Sequence, residues 1–168
     1  MGQSKMPEIR LTKKADKKII LKMYQDARDN MKQLGFSQWK DGYPNNDTLT
    51  ADIKNKESFV FVEGNDIIAS AMISLKEEIT YNKIDGQWGN DEKYLVIHRF
   101  VVAKQFLRKG YAKLFLEAIE EKFSNLTIRI DTHQNNFLMK SFLLKNGFTY
   151  RGIIMLQNKE LREAYDKF

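Results

Sequence analysis

Hydrophobic and polar positions alternate between two rhythms along this chain. Tyr94 to Val102 reads Y-L-V-I-H-R-F-V-V, a nearly continuous apolar run that predicts a buried strand. From Gly110 the period lengthens: Leu114, Phe115, Ala118, Ile119 and Phe123 recur at helical spacing, which predicts a helix over Gly110–Phe123. Upstream, E-I-R-L-T at 8–12 predicts a short strand. Thr12 is then a candidate cap for a helix to about Leu34, with Ile20, Tyr24, Ala27, Met31 and Leu34 on its apolar face and Gly35 as its stop. Two β-rich runs, S-F-V-F-V-E and I-I-A-S-A-M-I-S-L, flank Gly64-Asn65-Asp66 and predict an antiparallel hairpin. Thr48–Lys54 predicts a short helix, Thr127–Asp131 a strand, Asn136–Asn146 a helix stopped by Gly147, and Phe148–Leu156 a strand. Leu161–Lys167 fits a last strand or a helix equally well.

Two stretches follow neither rhythm. Residues 36–47 carry the Gly, Pro and Asn content of a loop but hold Phe36, Trp39 and Tyr43, so the loop is expected to fold back over something. Residues 76–93 are irregular and contain Tyr81 and Trp88. With no repeat, low-complexity tract or linker, the element order implies one α/β (α+β) domain over 1–168. Its expected parts are a flexible segment 1–6, an antiparallel half to residue 93, a β-α-β-α-β half over 94–156, and a C-terminal element over 157–168.

Composition narrows the chemistry. Of 168 residues 42% are hydrophobic and 12% aromatic, enough for an ordinary core. Cysteine is absent, which excludes disulfides, thiolate metal sites and a cysteine nucleophile and suits a reducing cytoplasm. Only His98 and His133 are present, and no ligand cluster accompanies them, so no metal is expected. No apolar stretch reaches the roughly 20 residues of a membrane span, and the N-terminus lacks a signal-peptide core, so cytoplasmic residence is expected. The net charge of +6 is spread along the chain rather than gathered in one tract. That distribution favours a polyanionic cofactor over nucleic acid.

The junction after Tyr94–Val102 shows where such an anion would bind. A helix start leaves about four backbone N–H groups without intrahelical partners, and its dipole favours negative charge. Arg108, Lys109 and Lys113 add cations there, and Gly110 admits close approach of a ligand to the backbone. These features make a pyrophosphate cradle.

The segment Leu107-Arg108-Lys109-Gly110-Tyr111-Ala112 resembles the acetyl-CoA signature of the GNAT superfamily, Gln/Arg-x-x-Gly-x-Gly/Ala, departing from it at Leu107. N-F-L-M-K-S-F-L-L-K-N-G-F is similar to that superfamily's Asn-to-Gly-Phe helix, with Asn136 and Gly147-Phe148 in register. W-K-D-G-Y-P, I-H-R-F-V-V, D-T-H and G-F-T-Y-R-G-I-I resemble a bacterial branch of small-molecule-type acetyltransferases. The resemblance implies a mixed, mostly antiparallel sheet flanked by about four helices, with a splayed central strand. It implies acetyl-CoA as co-substrate, held by Phe100, Val101, Val102, Leu107–Lys113, Asn136, Met139, Phe142 and Lys145. Dimerisation is a habit of the family. Many members carry a tyrosine on the second helix as the acid for the leaving thiolate, and its place here is Leu143.

In such an enzyme a neutral amine attacks the thioester directly. Deprotonating an amine of pKa near 10.4 at pH 7 costs roughly 4–5 kcal/mol. His98 is the candidate base, since an imidazole titrates near working pH and the arylalkylamine branch of the family has histidine at the matching strand position. The competing reading is a structural histidine. Tyr150, or Tyr111, is the candidate acid, against a packed tyrosine with a satisfied hydroxyl or unassisted departure of the thiolate. Arg99 is expected on the face opposite His98 as an ion-pair partner, and His133 in a loop or cap. Trp39, Tyr43, Glu78 and Tyr81 are candidates to line the acceptor site, where rings and carboxylates attract a cationic amine. Asp52, Glu57 and Asp66 read as solvated surface.

Three functions remain open at this level: an N-acetyltransferase of a small amine, one acting on a protein or aminoacyl-tRNA, and a non-catalytic acyl-CoA-binding module.

Overall fold

A computed structural model describes residues 6–168. The expected flexible segment 1–6 lies, apart from Met6, outside the described residues. Eight strands form one mixed sheet: β1 (Glu8–Leu11), β2 (Ser58–Glu63), β3 (Asp66–Ser74), β4 (Ile84–Gly86), β5 (Tyr94–Val102), β6 (Thr127–Thr132), β7 (Thr149–Met155) and β8 (Leu161–Lys167). Their spatial order is β1-β2-β3-β5-β6-β8-β7-β4, antiparallel throughout except for β5 beside β6. Four helices accompany them: α1 (Lys17–Gln33), α2 (Asn46–Lys54), α3 (Tyr111–Lys122) and α4 (Phe137–Lys145).

The sheet is covered on both faces. On one, Phe115, Leu116 and Ile119 of α3 and Leu143 of α4 close over Phe61, Leu95, Ile97 and Ile128. On the other, Ile20, Met23 and Tyr24 of α1 and Leu49 of α2 pack on Val60, Val62 and Val101. Full burial of one such large apolar side chain is worth about 1.5–3 kcal/mol.

β5 and β6 pair only over Tyr94–Val96 and Thr127–Arg129, then part. In the same region β5 bulges. Met72 pairs with His98 and Ser70 with Val101, so Arg99 and Phe100 stand together opposite Ala71. Arg99 takes a left-handed φ of 53° to do so. The splay and the bulge together open the sheet at its centre.

Several elements differ from expectation. Thr12 does not cap α1: its hydroxyl pairs with Ser58 at 2.7 Å, and a 3-10 turn over Lys14–Asp16 precedes the helix. α1 buries Met23 rather than Leu34, and α3 buries Leu116 rather than Leu114. α2 begins earlier, where Asn45 accepts the Thr48 N–H at 3.1 Å. The irregular stretch contains β4, an edge strand too short to register as alternation. The C-terminal element is a strand inserted between β6 and β7. Asp52 and Glu57 are buried, not solvated, because Arg99 and Ser74 respectively bond them.

Candidate active site

The gap between β5 and β6 opens into two adjoining cavities that share Met31, Phe100, Asn136 and Met139. The larger, about 510 Å³, runs from α1 past Val101, Val102, Leu107 and Ala112 to Phe142 of α4. It is mostly apolar and reaches Ala112 in the first turn of α3. There Gly110 has a φ of +81°, and a Cβ built on it meets nothing within 4 Å. No side chain caps α3 and no acid occupies its first turn, so its N-terminal amides face outward with Arg108, Lys109 and Lys113 around them. An open loop, bare amides and cations fit a pyrophosphate, and the apolar slot fits a narrow chain leading from it.

Not every residue expected at that channel lines it. Tyr111 turns away to reach Glu63 Oε2 at 3.1 Å and pack on Phe106, Lys113 pairs loosely with Glu117, and Lys145 lies beyond the lining. Asn136 caps α4 by accepting the Met139 N–H at 3.1 Å, and it donates to Gln38 Oε1 at 3.1 Å.

The second cavity, about 330 Å³, holds His98 with Glu78, Asp131, Arg99 and Arg162. His98 lies on its floor, with Nε2 3.8 Å from Glu78 Oε1 and Nδ1 3.9 Å from Asp131 Oδ2. Both gaps exceed a direct hydrogen bond, so the coupling is electrostatic or carried through water. His98 holds the Glu78 carboxyl below the usual carboxylate range despite partial burial. Asp131 Oδ2 also accepts the Tyr81 hydroxyl at 2.6 Å. Burial, then the Asp131 charge, pushes the Tyr81 phenol well above its ordinary value. Tyr81 therefore braces the site from behind instead of lining it.

The bulge overturns the expected alternation at Arg99. Both Arg99 and His98 border the cavity, because the extra residue breaks the period of two. Arg99 is nonetheless the expected ion-pair partner: Nε and Nη2 grip Asp52 at 2.9 and 2.7 Å, and Nη1 reaches the Tyr43 hydroxyl at 2.8 Å. Burial opposes its charge, but the Asp52 carboxylate raises its pKa overall.

The aromatic loop forms the roof. Trp39 and Tyr43 line the cavity, and Trp39 meets Tyr24 edge-on. Gln38 holds the loop to the β6–α4 turn, its Oε1 accepting from Thr132 Oγ1, His133 N and Asn136 Nδ2. His133 accepts the Asn135 N–H at 3.1 Å, the loop role expected of it. Gln38, Met31, Asp131 and Arg162 were missed by sequence reasoning. Only Asp131, the first residue of the D-T-H motif, carried a local signal; the rest depend on the fold.

Neither candidate acid lines the cavity: Tyr111 bonds Glu63, and Tyr150 stands 42% exposed on β7 beside Tyr165. Leu143, at the place of the family's tyrosine, is buried in the core. Among the described residues no cluster of potential metal ligands is present, and no helix is long and apolar enough to cross a membrane.

The family model described as the acetyltransferase (GNAT) family matches residues 20–148. The chain belongs to the GNAT acetyltransferases. A GNAT-family acetyltransferase from Streptococcus agalactiae 2603 shares 31% identity with it, at a TM-score of 0.90 over 99% of this chain and 97% of the other. This GNAT chain also has the fold of a PaiA N-acetyltransferase from Thermoplasma acidophilum in complex with coenzyme A (16% identity, TM-score 0.65, 97% and 99% coverage). A ribosomal-protein-alanine N-acetyltransferase from Escherichia coli is similar at 13% identity and a TM-score of 0.61, covering 96% of this chain and 93% of its own. No curated protein matches at a significant level. The expected fold and family are thus borne out, and the GNAT protein is an acyltransferase.

Proposed function

We propose that this acyltransferase moves an acetyl group from acetyl-CoA to the primary amine of a small molecule, with His98 as general base. The observation that carries this reading is the placement of His98 between Glu78 and Asp131 in a partly open cavity that adjoins an apolar channel near a basic helix start. Acetyl-CoA supplies a thioester carbonyl open to direct attack. Arg108, Lys109 and the α3 amides are assigned to its pyrophosphate, and Phe100, Val102, Met139 and Phe142 to its pantetheine arm.

Each residue then has a physical task. Glu78 and Asp131 attract an ammonium group and bring it beside the imidazole. His98 takes the proton, a step typically worth 10²–10⁴-fold. The bulged backbone at Arg99 and Phe100 is the candidate donor to charge developing on the thioester oxygen. No tyrosine is assigned to the leaving thiolate, since a thiol pKa near 8.5 lets it depart without an acid.

A small acceptor is favoured over a protein chain because Gln38 and Tyr43 tie the aromatic loop down across the cavity. A peptide tail needs an open groove.

The test pairs binding with turnover. Titration calorimetry is expected to show saturable acetyl-CoA binding that the Arg108→Glu, Gly110→Asp double variant weakens at least about tenfold. Thiol release on an amine panel is expected to fall about 10²-fold or more in His98→Ala, with acetyl-CoA affinity retained. A double variant that binds normally would remove the cradle from the reading, and an active His98→Ala would remove the base.

A further inference from the structure

The charges around the smaller cavity are divided between its two ends. At the His98 end, Glu78 and Asp131 face one imidazole, and no lysine or arginine approaches either carboxylate within 4.0 Å among the described residues. At the other end stands Arg162, buried to 7% exposure on β8. Among the described residues its one carboxylate partner is Glu160, at 2.8 Å, which lies outside the cavity wall and is shared with Lys40 at 3.5 Å. Two cations on one carboxylate leave that end net positive. Arg99 does not compensate, because Asp52 and the Tyr43 hydroxyl already take its three nitrogens.

Strand register sets the spacing. Asp131 pairs with Ala164, and Arg162 lies two residues along β8 on the same face. Diagonal neighbours of this kind have Cα atoms about 7–8 Å apart. An α-amino acid carries its amine and carboxylate on one carbon, so it suits opposite charges projecting from neighbouring positions on one face, with a charge-assisted hydrogen bond at each. Met31, Trp39 and Leu156 add apolar wall to the same cavity.

We infer that the acceptor is a free amino acid with an apolar side chain, its amine held at Glu78, His98 and Asp131 and its carboxylate by Arg162. This rests on the acetyl-transfer reading above and adds the anionic half of the substrate. Arg162 takes the carboxylate beside Glu160 and the Leu161 carbonyl, to which Nη1 donates at 3.1 Å, as its planar fork of five donors allows.

The test uses matched acceptors: L-leucine, L-methionine and L-phenylalanine, their primary amides, and their decarboxylated amines. Acetyl transfer is followed by thiol release from acetyl-CoA. The free acid is expected to exceed both partners by about tenfold or more in kcat/KM, because the amides and amines forfeit the charge-assisted bond to Arg162. In Arg162→Gln the ratio of acid to amide should collapse toward one through KM, while Arg162→Lys keeps part of it. Acetyl-CoA titration and a melting curve verify that each variant is folded. Turnover of the amides or amines equal to or above that of the acids overturns this inference and leaves N-acetylation standing. No turnover of any acceptor, with acetyl-CoA bound, takes down the proposed function and this inference with it.

Discussion

Arg99 and Asp52 form a two-pronged ion pair that locks the β5 bulge to α2, with both side chains nearly out of solvent at 12% and 8% exposure. The bulge needs such a clamp. Arg99 is a non-glycine residue at φ 53°, a conformation that costs about 1–3 kcal/mol and persists only where its surroundings hold it.

Removing one partner leaves the other charge buried alone, a loss of roughly 3–5 kcal/mol. Asp52→Asn is therefore expected to lower unfolding stability by about 3 kcal/mol in a urea titration. Acceptor KM should rise as well, because Tyr43 shares the same guanidinium. A change below about 1 kcal/mol would mean that the pair is solvated and the clamp unimportant.

Gln38 gathers Thr132, His133 and Asn136 on one amide oxygen and thereby holds the roof of the smaller cavity. In Gln38→Ala, hydrogen exchange should quicken over residues 36–45. Acceptor KM should rise about tenfold, with a smaller effect on acetyl-CoA, since each lost bond leaves a buried donor unsatisfied. Unchanged exchange would show that the aromatic contacts hold the loop unaided.

Glu78 gives a pH signature. Its folded pKa lies below the ordinary 4.5, first because of His98. A depressed carboxylate contributes stability that is present above its unfolded value and is lost as pH falls through its folded value. Wild type should thus exceed Glu78→Gln in stability at pH 6, and the two melting curves should converge as pH drops below 4.5. A gap that persists into strong acid would assign the difference to packing instead of charge.

Gly152 on β7 faces β4 with φ +151°, and a Cβ there would stand 2.2 Å from the Asp85 carbonyl oxygen. The neighbour is backbone and cannot swing aside. Gly152→Ala is expected to cost about 2–3 kcal/mol and to loosen β4 first. Melting temperature and exchange over Ile84–Gly86 test this; a variant as stable as wild type would show that the edge strand shifts freely.

Local pattern was enough for the hairpin β2–β3, the buried strand β5, and the helices α3 and α4. Their periods and their Gly and Asn punctuation lie within a dozen residues, and the same short range made the loop–Gly110–helix junction readable. His98, Trp39, Tyr43 and Glu78 could be named as candidates by residue type and position. What joined them was the parting of β5 from β6 and the two-for-one bulge at Arg99 and Phe100. That bulge also put Arg99 on the cavity wall, which a strict alternation forbids. Asp52, Gln38 and Arg162 stayed hidden because their partners lie 47, 94 to 98, and 2 residues away, and only the last of these is local. Even there, proximity to Glu160 does not reveal that β8 inserts between β6 and β7 and carries the guanidinium to the cavity. Periodicity encodes which face of an element is apolar. Which charges meet across the opened sheet is decided by chain topology, through contacts that have no period to read.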